Sequence, residues 1–564
     1  MVFPAGVFPK LAAQWLFTFY RAARKLRRHA FQLYYRNTTT TKPSPAAASP
    51  QQGQHATTTV KSSVAVLDLT GAAVAAAAAD GTVVFDMHGA LLGSTSLFPY
   101  FMLVAFEGGS LLRAMLLLCA LPLVWALGGE RSIAGIRVMA FVAFAGLTTR
   151  DMDLVARAVM PKHYMEQLNA AVYERLWLPS KKKVVVTAAP RVMSEWFLME
   201  YMAADAVVGL ELRLVTVGRR RYFTGLLDGP EPRQEAMKEA IAAEVTMADV
   251  GIVSNSNPRD QQLFVPYCKE VYVVSRESTK SATLPRDKYP KPLIFHDGRL
   301  AFLPTPSAML AFFLFLPLGV ILSVIRINIG IVLPYKINFL AGAIFGIRFR
   351  TSGLRRDLPP PADAKQQQQQ RKGVLYVCTH RTLVDPIMLT TALQKPVPAL
   401  TYSLSRLSEL IAPIKTVRLT RDRARDAETM SRLLRRGDLA VCPEGTTCRE
   451  PYLLRFSPLF AELADDMEPV ALDAQVTMLY GTTASGHKWM DPVAFFANPV
   501  PAYRVEFLGA VPREWTRAAG ERTGVEVANW VQRRLGEALG FECTGLTRRD
   551  KYMMLAGNDG VVAK

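Results

Sequence analysis

The sequence predicts two α/β domains joined by a hydrophobic membrane segment. Short apolar runs that end in polar residues are typical of buried strands, and they form one group in each half of the chain. Between the groups, Ser307 to Ile325 contains no charged residue and approaches the length of about 20 residues that a helix needs to cross a bilayer. The strand candidates are 82–85, 183–187, 374–377 and 438–442.

A second apolar stretch, 337–347, follows the first after Pro334 and Lys336. It is too short to cross, so we expect it to dip into the membrane or to lie in its interface. The predicted boundaries are a first domain at 64–300 with an apolar insertion at 97–147, a membrane-associated segment at 301–350, and a second domain at 351–564.

The insertion contains an apolar run, Leu111 to Leu127, that is short and includes Arg113 and Pro122. A further apolar patch lies near 134–147. Two interpretations fit this pattern, a buried helical pair or a hairpin that enters the bilayer, and the sequence does not separate them.

The N-terminal segment, residues 1–36, is rich in arginine, and residues 1–67 contain no Asp or Glu. Aromatic and leucine side chains interleaved with arginines predict a basic amphipathic helix on a membrane surface. A mitochondrial presequence shares this composition and remains an alternative. Residues 37–63 are a low-complexity linker that cannot build a core.

The overall composition favours membranes and anionic small molecules over nucleic acid. The chain has 564 residues, is 50% hydrophobic and carries 67 Lys and Arg against 48 Asp and Glu, a net charge of +19. Such an excess attracts anionic lipid or phosphate-bearing substrates, whereas no zinc-finger spacing or RNA-recognition signature is present. The six cysteines include no Cys-x-x-Cys pair, which indicates neither a metal site nor a disulfide framework and favours a cytosol-facing location.

A candidate catalytic pair lies in "YVCTHRTLVDPI", residues 376–387. His380 follows a predicted strand, while Asp385 and Pro386 predict a helix start with the Asp at the N-cap. A tight loop between strand and helix can bring the two side chains together. A histidine with a carboxylate that fixes its tautomer is a general base; the alternative is a pair that caps a turn.

The second candidate element is "PEGTTCRE", residues 443–450, which follows the strand candidate at 438–442. Its Pro and Gly predict a turn that exposes Glu444 and the backbone donors around Gly445. Guanidinium groups bind phosphate through paired hydrogen bonds, and arginines flank both candidate elements. These are Arg418, Arg421, Arg423, Arg449 and Arg455.

These motifs together resemble the land-plant glycerol-3-phosphate acyltransferases of the glycerolipid acyltransferase superfamily. The resemblance rests on the His-x4-Asp pair, on Arg421 in "RLTRDR", on "PEGTTCRE" and on "EPVAL" at 468–472. It extends to the tail "FECTGLTRRDKYMMLAGNDG", residues 541–560. It covers residues 64–564 and includes a first domain similar to haloacid-dehalogenase (HAD)-type phosphatases.

The resemblance implies transfer of an acyl group from acyl-CoA to glycerol 3-phosphate, with preference for the sn-2 hydroxyl, to give lysophosphatidic acid for cutin, suberin or pollen-coat lipid. It implies no metal and no cofactor beyond the acyl-CoA co-substrate. His380 would be the base and Asp385 its orienting carboxylate. The residues implied to position glycerol 3-phosphate are Arg421, Glu444, Gly445 and Arg449.

The first domain carries a degenerate copy of the phosphatase motifs. In "TVVFDMHGALL", Asp86 stands at the nucleophile position, but His88 replaces the expected acid-base Asp. Because the site has also lost a magnesium-binding carboxylate at Ser256, the resemblance implies weak or no phosphatase activity. The remaining residues matched to these motifs are Thr187, Lys238 and Asp260.

Three other functions remain open. A lysophosphatidate acyltransferase shares the His-x4-Asp pair, a bifunctional enzyme would also remove the phosphate to give monoacylglycerol, and a basic membrane scaffold would need no catalysis. The expected location is the endoplasmic reticulum membrane with the second domain facing the cytosol, and the mitochondrion is the alternative. The sequence does not give the acyl-chain preference or the oligomeric state.

Overall fold

The computed structural model describes residues 63–67, 81–228, 247–254, 264–274, 283–290, 295–354, 373–401, 409, 412–420, 422–484, 488–517 and 521–557. The predicted N-terminal segment 1–36 lies outside these residues, as does the linker 37–63 up to its last residue. Lys61–Lys564 forms one compact unit.

The first domain is built on a six-stranded parallel sheet, in the order β1-β8-β7-β2-β3-β4. Its central strands read as continuous Val-rich runs because helices cover both faces of such a sheet. An antiparallel hairpin, β5 and β6, stands apart from it. The strands are β1 Ser63–Leu67, β2 Thr82–Asp86, β3 Lys182–Pro190, β4 Ala206–Leu210, β5 Leu212–Val217, β6 Arg220–Leu227, β7 Ala248–Ser254 and β8 Cys268–Val274.

The helices of the first domain follow β2 and β3. The structure gives α1 Phe98–Leu103, α2 Leu111–Ala126, α3 Ile133–Phe144, α4 Thr149–Ala158, α5 Met160–Met165, α6 Ala170–Val172 and α7 Glu195–Glu200. Shorter turns are the π-helices Val104–Gly109 and Tyr173–Trp177 and the 3₁₀ turns Arg191–Met193 and Arg286–Lys288.

The insertion forms a helical pair, α2 and α3, which pack against each other. Arg113 does not interrupt the pair, because its guanidinium donates to the carbonyls of Ala143 and Ala145 at 2.9 and 2.7 Å. One face of α2 lies in the core, at Ala114, Leu117, Leu121 and Val124. The opposite face of α2 is exposed, so the pair is not fully buried, and a hairpin that enters the bilayer stays a prediction.

The predicted membrane segment contains two helices, α8 Pro306–Val332 and α9 Tyr335–Ile344. Among the described residues, α8 is the one helix long and apolar enough to cross a membrane. The charge-free stretch Ser307 to Ile325 lies within α8, which continues through Arg326. That guanidinium is satisfied inside the protein by the carbonyls of Phe345, Phe496, Asn498 and Pro499.

The second domain has a seven-stranded sheet in the order β12-β11-β13-β10-β15-β16-β9, in which only β15 and β16 pair antiparallel. Its first strand begins before residue 351, within the predicted membrane-associated segment. The strands are β9 Arg348–Ser352, β10 Leu375–Cys378, β11 Ala399–Thr401, β12 Thr416–Arg418, β13 Leu439–Val441, β14 Tyr452–Leu453, β15 Met467–Gln475, β16 Ala502–Phe507 and β17 Glu542–Cys543, with β14 and β17 forming a separate pair.

The helices of the second domain flank this sheet. They are α10 Asp385–Leu393, α11 Arg423–Leu434, α12 Leu459–Leu463, α13 Met490–Phe496, α14 Gly524–Leu539 and α15 Arg548–Ala556, with a 3₁₀ turn at Arg513–Trp515. Strands β10 and β13 are parallel neighbours, so the two candidate loops that follow them meet at one edge of the sheet. The predicted fold class, two α/β domains with an apolar helix between them, is confirmed.

Candidate active site

The loop between β10 and α10 brings His380 and Asp385 together. The Nδ1 atom of His380 lies 2.9 Å from a carboxylate oxygen of Asp385. Asp385 is fully buried, whereas the imidazole is partly exposed and lines a cavity. With Nδ1 engaged by the carboxylate, Nε2 is the nitrogen left to accept a proton.

The Asp385 carboxylate is held by several donors. It accepts hydrogen bonds from the backbone N–H groups of Arg381 and Thr382, from the Thr382 hydroxyl at 2.8 Å and from the Tyr503 hydroxyl. The predicted N-cap position is wrong by one residue, because Val384 is the N-cap and Asp385 opens the helix. Its carboxylate instead turns back to the loop, where these donors hold it against the imidazole of His380.

The "PEGTTCRE" loop is tied directly to the histidine loop. The backbone N–H of Cys448 donates to the carbonyl of His380 at 2.7 Å. Arg381, which sequence reasoning did not single out, donates to the carbonyls of Cys448, Arg449 and Glu450. A buried arginine between two loops fixes their relative position. The sequence signal that could have indicated this role is the position of Arg381 directly after His380.

The predicted exposure of Glu444 is wrong, because this side chain is buried and holds the backbone of two loops. Its two carboxylate oxygens accept from the backbone N–H groups of His380 at 2.8 Å and Leu454 at 3.1 Å. Burial raises the pKa of the Glu444 carboxyl to about 7, against the lowering effect of those two N–H groups. Contact between Glu444 and a substrate hydroxyl stays a prediction.

Arg449 has a guanidinium that is engaged within the protein. It donates to the carbonyls of Gly298 at 2.8 Å, Thr482 at 2.9 Å and His296, and it stacks over the ring of Tyr480. The side chain is 8% exposed. These contacts join the end of the first domain to the catalytic loop.

The other predicted phosphate ligands are distributed differently. Arg421 lies outside the described residues. Arg418 and Arg423 form ion pairs with Glu409 and Glu462 rather than lining the cavity. Gly445 lines the cavity with a φ of +69°, a left-handed conformation that favours glycine at this turn.

The cavity next to His380 has a volume of about 420 Å³. Part of its lining, called the apolar wall below, is apolar and includes residues of α8, and another part is polar. The apolar wall includes Ile327, Ile331, Leu383, Val384 and Phe496. The polar part includes Thr446, Thr447, Thr482, Thr483, Lys488 and Arg548.

The C-terminal helix α15 belongs to this site. The Lys551 ammonium donates to the carbonyl of Thr447 at 2.6 Å and lies 3.9 Å from the Glu450 carboxylate. Arg548 and Tyr552 line the cavity, with the guanidinium over the phenol ring. The basic residues of this helix are evident in the sequence, but the sequence does not indicate that they lie beside His380.

A metal-like cluster overlaps the histidine pair. Among the described residues, one ligand atom each from His380, Asp385 and Cys442 lie within 4.8 Å of one another. The Asp385 carboxylate already accepts several hydrogen bonds, and burial raises the pKa of the Cys442 thiol well above its usual range. A neutral thiol and an engaged carboxylate form a general-base site better than a cation site.

Comparison with known proteins identifies the chain. A family model described as glycerol-3-phosphate acyltransferase RAM2-like, HAD-like domain, matches residues 82–274, and an acyltransferase model matches residues 362–479. Glycerol-3-phosphate acyltransferase 1 of Arabidopsis thaliana is 51% identical over 85% of this chain and 81% of its own length. The chain belongs to the plant glycerol-3-phosphate acyltransferases.

Two further proteins are similar to this plant acyltransferase. Glycerol-3-phosphate acyltransferase RAM2 of Petunia hybrida is 46% identical over 84% of this chain and 97% of its own. The crystal structure of the 1-acyl-sn-glycerophosphate (LPA) acyltransferase PlsC from Thermotoga maritima aligns over 42% of this chain and 95% of its own, with 13% identity and a TM-score of 0.25. A TM-score this low carries no functional argument.

The HAD-like domain of this acyltransferase family member has a second, different site. Asp86 ends β2, and the Thr187 hydroxyl lies 3.5 Å from Nδ1 of His88, so the structure brings these three predicted residues together. Lys238, Ser256 and Asp260 lie outside the described residues. Ser254 ends β7 against Gly89, where an added Cβ would lie 2.4 Å from its hydroxyl oxygen.

Arg131, which precedes α3 of the insertion, closes this HAD-like site. Its guanidinium lies 3.5 Å from the Asp86 carboxylate and donates to the carbonyl of His88 at 2.9 Å. HAD-type phosphatases use magnesium at the nucleophile, but here a fixed cation of the chain pairs with that carboxylate and His88 stands where a carboxylate is expected. The described residues therefore do not fit a magnesium ion.

Proposed function

We propose that this protein transfers an acyl group from acyl-CoA to glycerol 3-phosphate and releases lysophosphatidic acid. The observation that carries the proposal is one cavity that His380 lines together with a set of apolar side chains and a set of polar, cationic side chains. An acyl chain suits the first surface and a phosphorylated glycerol suits the second. The names of the plant relatives, which are glycerol-3-phosphate acyltransferases, agree with this chemistry.

His380 acts as the general base. Its Nε2 takes the proton from a glycerol hydroxyl as that oxygen attacks the thioester carbon. The carbon–sulfur bond then breaks, and the imidazolium returns the proton so that coenzyme A leaves as a thiol. Asp385 holds the tautomer and stabilises the imidazolium, so the step needs no covalent intermediate and no cofactor besides acyl-CoA.

The phosphate is bound at the polar part of the cavity. Lys488 and Arg548 supply positive charge there, and the threonine hydroxyls supply hydrogen bonds. Arg449 acts indirectly, because its guanidinium is directed to backbone carbonyls and holds the loop on which Gly445 and Thr446 lie. Arg421 keeps its role as a predicted phosphate ligand.

The acyl chain lies along the apolar wall. Ile327 and Ile331 belong to α8, so the wall is continuous with the membrane helix. This arrangement favours a long-chain donor that reaches the site from the membrane side. We further propose attack by the sn-2 hydroxyl, a role in cutin, suberin or pollen-coat lipid, and residence in the endoplasmic reticulum with the second domain in the cytosol.

Product analysis tests this function. Purified protein receives a series of acyl-CoAs with glycerol 3-phosphate or lysophosphatidate as the acceptor, and we expect lysophosphatidic acid from the first acceptor and little product from the second. A preference for lysophosphatidate would overturn the acceptor assignment. Acyl transfer that is unchanged by His380→Ala would overturn the catalytic assignment and favour a scaffold.

A further inference from the structure

The two domains share a buried interface. Arg299, before α8, pairs with Asp491 in α13 at 2.8 Å, and that carboxylate is 1% exposed. The Glu450 carboxylate accepts the backbone N–H of His296 at 2.8 Å. Ala158 of the first domain packs in one buried cluster with Tyr452, Leu454 and Leu555 of the second. Two domains packed in this way lie on the same side of any membrane.

The helices between the domains do not permit a return crossing. α8 is about 40 Å long at 1.5 Å per residue, which exceeds the hydrocarbon thickness of about 30 Å. α9 is about 15 Å long, half of that thickness. If α8 crossed the bilayer, the chain could not return through α9, and the two domains would lie on opposite sides.

α8 is attached to the protein along its length. Its buried residues begin at Met309 and Phe312, in the core of the first domain, and continue through Gly319, Ser323 and Arg326 to Ile329 against the second. The Ser323 hydroxyl donates to the carbonyl of Val493 at 2.9 Å. The other side of α8 is exposed and apolar, at Leu310, Leu314, Leu318, Ile321, Val324 and Val332.

The HAD-like domain continues this apolar surface. α2 contacts α8, and Phe106, just before α2, packs edge-to-face on Phe312. A surface helix of a soluble protein presents polar residues outward, but the outward side of α2 is apolar throughout. It consists of Leu111, Leu112, Met115, Leu116, Cys119, Pro122, Leu123, Trp125 and Ala126. This set is called the α2 face below.

A basic hairpin packs on α3, the partner helix of α2. The β5–β6 hairpin packs its Phe223 on Phe144 of α3, and its tip carries the exposed Val215 and Val217. Three exposed arginines follow at positions 219, 220 and 221. Apolar side chains bordered by arginines match the boundary between lipid tails and anionic headgroups.

We propose that the HAD-like domain docks directly on a lipid bilayer, with the α2 face in one leaflet and the three hairpin arginines on anionic headgroups. The α2 face and the exposed side of α8 together form one continuous surface. The protein then enters a single leaflet, and α8 does not cross. This role gives the degenerate phosphatase domain a function that requires none of its former chemistry, and it does not depend on the acyl-transfer reaction.

The first test is the sidedness of the two domains. In a Cys119→Ser background, Lys181→Cys provides an exposed thiol on the first domain, and the native, exposed Cys543 provides one on the second. Sealed membrane vesicles are treated with an impermeant maleimide before and after detergent. We expect both thiols to react to the same extent before detergent. Reaction of only one of them would show that α8 crosses and would overturn the proposal.

The second test is vesicle binding by the purified full-length chain. Leu116→Glu, in the α2 face, should weaken partition onto phosphatidylcholine vesicles at least tenfold, whereas Val525→Glu, at an equally exposed position on α14, should not. Changing Arg219, Arg220 and Arg221 to Ser should reduce the preference for phosphatidylserine-containing vesicles about tenfold or more. Because these side chains are exposed, thermal unfolding should be unchanged. Equal partition of Leu116→Glu and Val525→Glu would overturn docking by the α2 face.

Discussion

The two domains each place a functional residue after a central parallel strand, yet the surroundings of those residues differ. His380 follows β10 and lines a cavity, with its carboxylate partner fully buried behind it. Asp86 ends β2 and is buried, and Arg131 lies over it. One strand end is arranged around a space for a substrate, whereas the other is filled by the protein itself.

The difference lies in what the neighbouring segments bring to each strand end. In the second domain the described cations beside His380 have other roles: Arg381 ties one loop to another, and Lys488 lines the cavity. In the first domain the insertion supplies Arg131, which pairs with the carboxylate at the predicted nucleophile position. The parallel sheet fixes where a site is located, and the neighbouring segments decide whether a substrate reaches it.

The largest effect is expected at the histidine pair. His380→Ala should lower kcat by about 10² to 10⁴, the usual contribution of a general base. Asp385→Asn should lower kcat by a factor in the same range, because the tautomer of His380 is no longer fixed. Initial rates of lysophosphatidic acid formation measure both. Thermal unfolding of His380→Ala should match the wild type, since the imidazole is partly exposed.

Tyr503→Phe is the matched, milder change, because it removes one of several donors to Asp385 and leaves the pair itself intact. We expect kcat to fall two- to tenfold, which corresponds to the free energy of one charge-assisted hydrogen bond or less. A Tyr503→Phe enzyme as inactive as His380→Ala would mean that the hydroxyl takes part in the reaction.

The next effect concerns the acceptor. Arg548→Gln and Lys488→Gln should each raise KM for glycerol 3-phosphate about tenfold and leave KM for acyl-CoA nearly unchanged, because each removes a charge from the polar part of the cavity. Arg449→Lys should instead lower thermal stability and kcat, since its guanidinium joins backbone carbonyls of both domains. Michaelis constants for both substrates separate these roles.

A selective rise of KM for glycerol 3-phosphate in Arg449→Lys, without loss of stability, would contradict this division. It would return Arg449 to the phosphate-binding role that the family motif implies. Arg455→Gln, a basic side chain outside the residues that line the cavity, serves as the charge control and should change neither constant.

The sequence was sufficient for features that depend on neighbours along the chain. The strand before His380, the turn at Gly445 and the approach of Asp385 to His380 all follow from local spacing. Arg449 could not be placed in this way, because its carbonyl partners at His296 and Gly298 belong to the other domain. Its position beside a phosphate-binding motif suggested a substrate contact, but domain packing determines where the guanidinium points.

The same limit applies to residues that the sequence left unmarked. Lys488 and Arg548 meet at the cavity only after α15 packs beside the catalytic loop, and Arg131 meets Asp86 only after the insertion folds back on β2. Solvated arginines and lysines are common, so no local pattern distinguishes these from surface charges. Predicting them would require knowledge of contacts between segments far apart in the sequence.

A smaller effect is expected in the pH dependence of stability. Burial raises the pKa of Glu444 to about 7 from an ordinary 4.5. The folded chain therefore binds more protons than the unfolded chain between these values, and its free energy of unfolding should fall as pH rises from about 4.5 to 7, by up to about 3 kcal/mol for this group. The free energy of unfolding of Glu444→Gln should differ less between pH 5 and pH 8 than that of the wild type.

Glu107 provides the internal control for that measurement. Burial also raises its pKa to about 7, and it accepts the N–H groups of Arg299 and Leu300. The stability of Glu444→Gln should thus retain part of its pH dependence. The double variant with Glu107→Gln should retain less. An unchanged pH dependence in both variants would show that these carboxyls ionise with ordinary pKa values.

The smallest effect is expected at Asp86, where we predict no change at all. An active phosphatase would convert lysophosphatidic acid to monoacylglycerol on the same chain, and this requires a free carboxylate nucleophile, a proton donor and a magnesium site. Arg131 pairs with Asp86, and His88 is fully buried in place of the second carboxylate. A cationic imidazole beside a metal ion would also be electrostatically unfavourable. The protein is incubated with acyl-CoA, glycerol 3-phosphate and magnesium, and the products are separated. Lysophosphatidic acid should predominate to the same extent in the wild type and in Asp86→Asn, whereas abundant monoacylglycerol that disappears in Asp86→Asn would show that the first site is an active phosphatase.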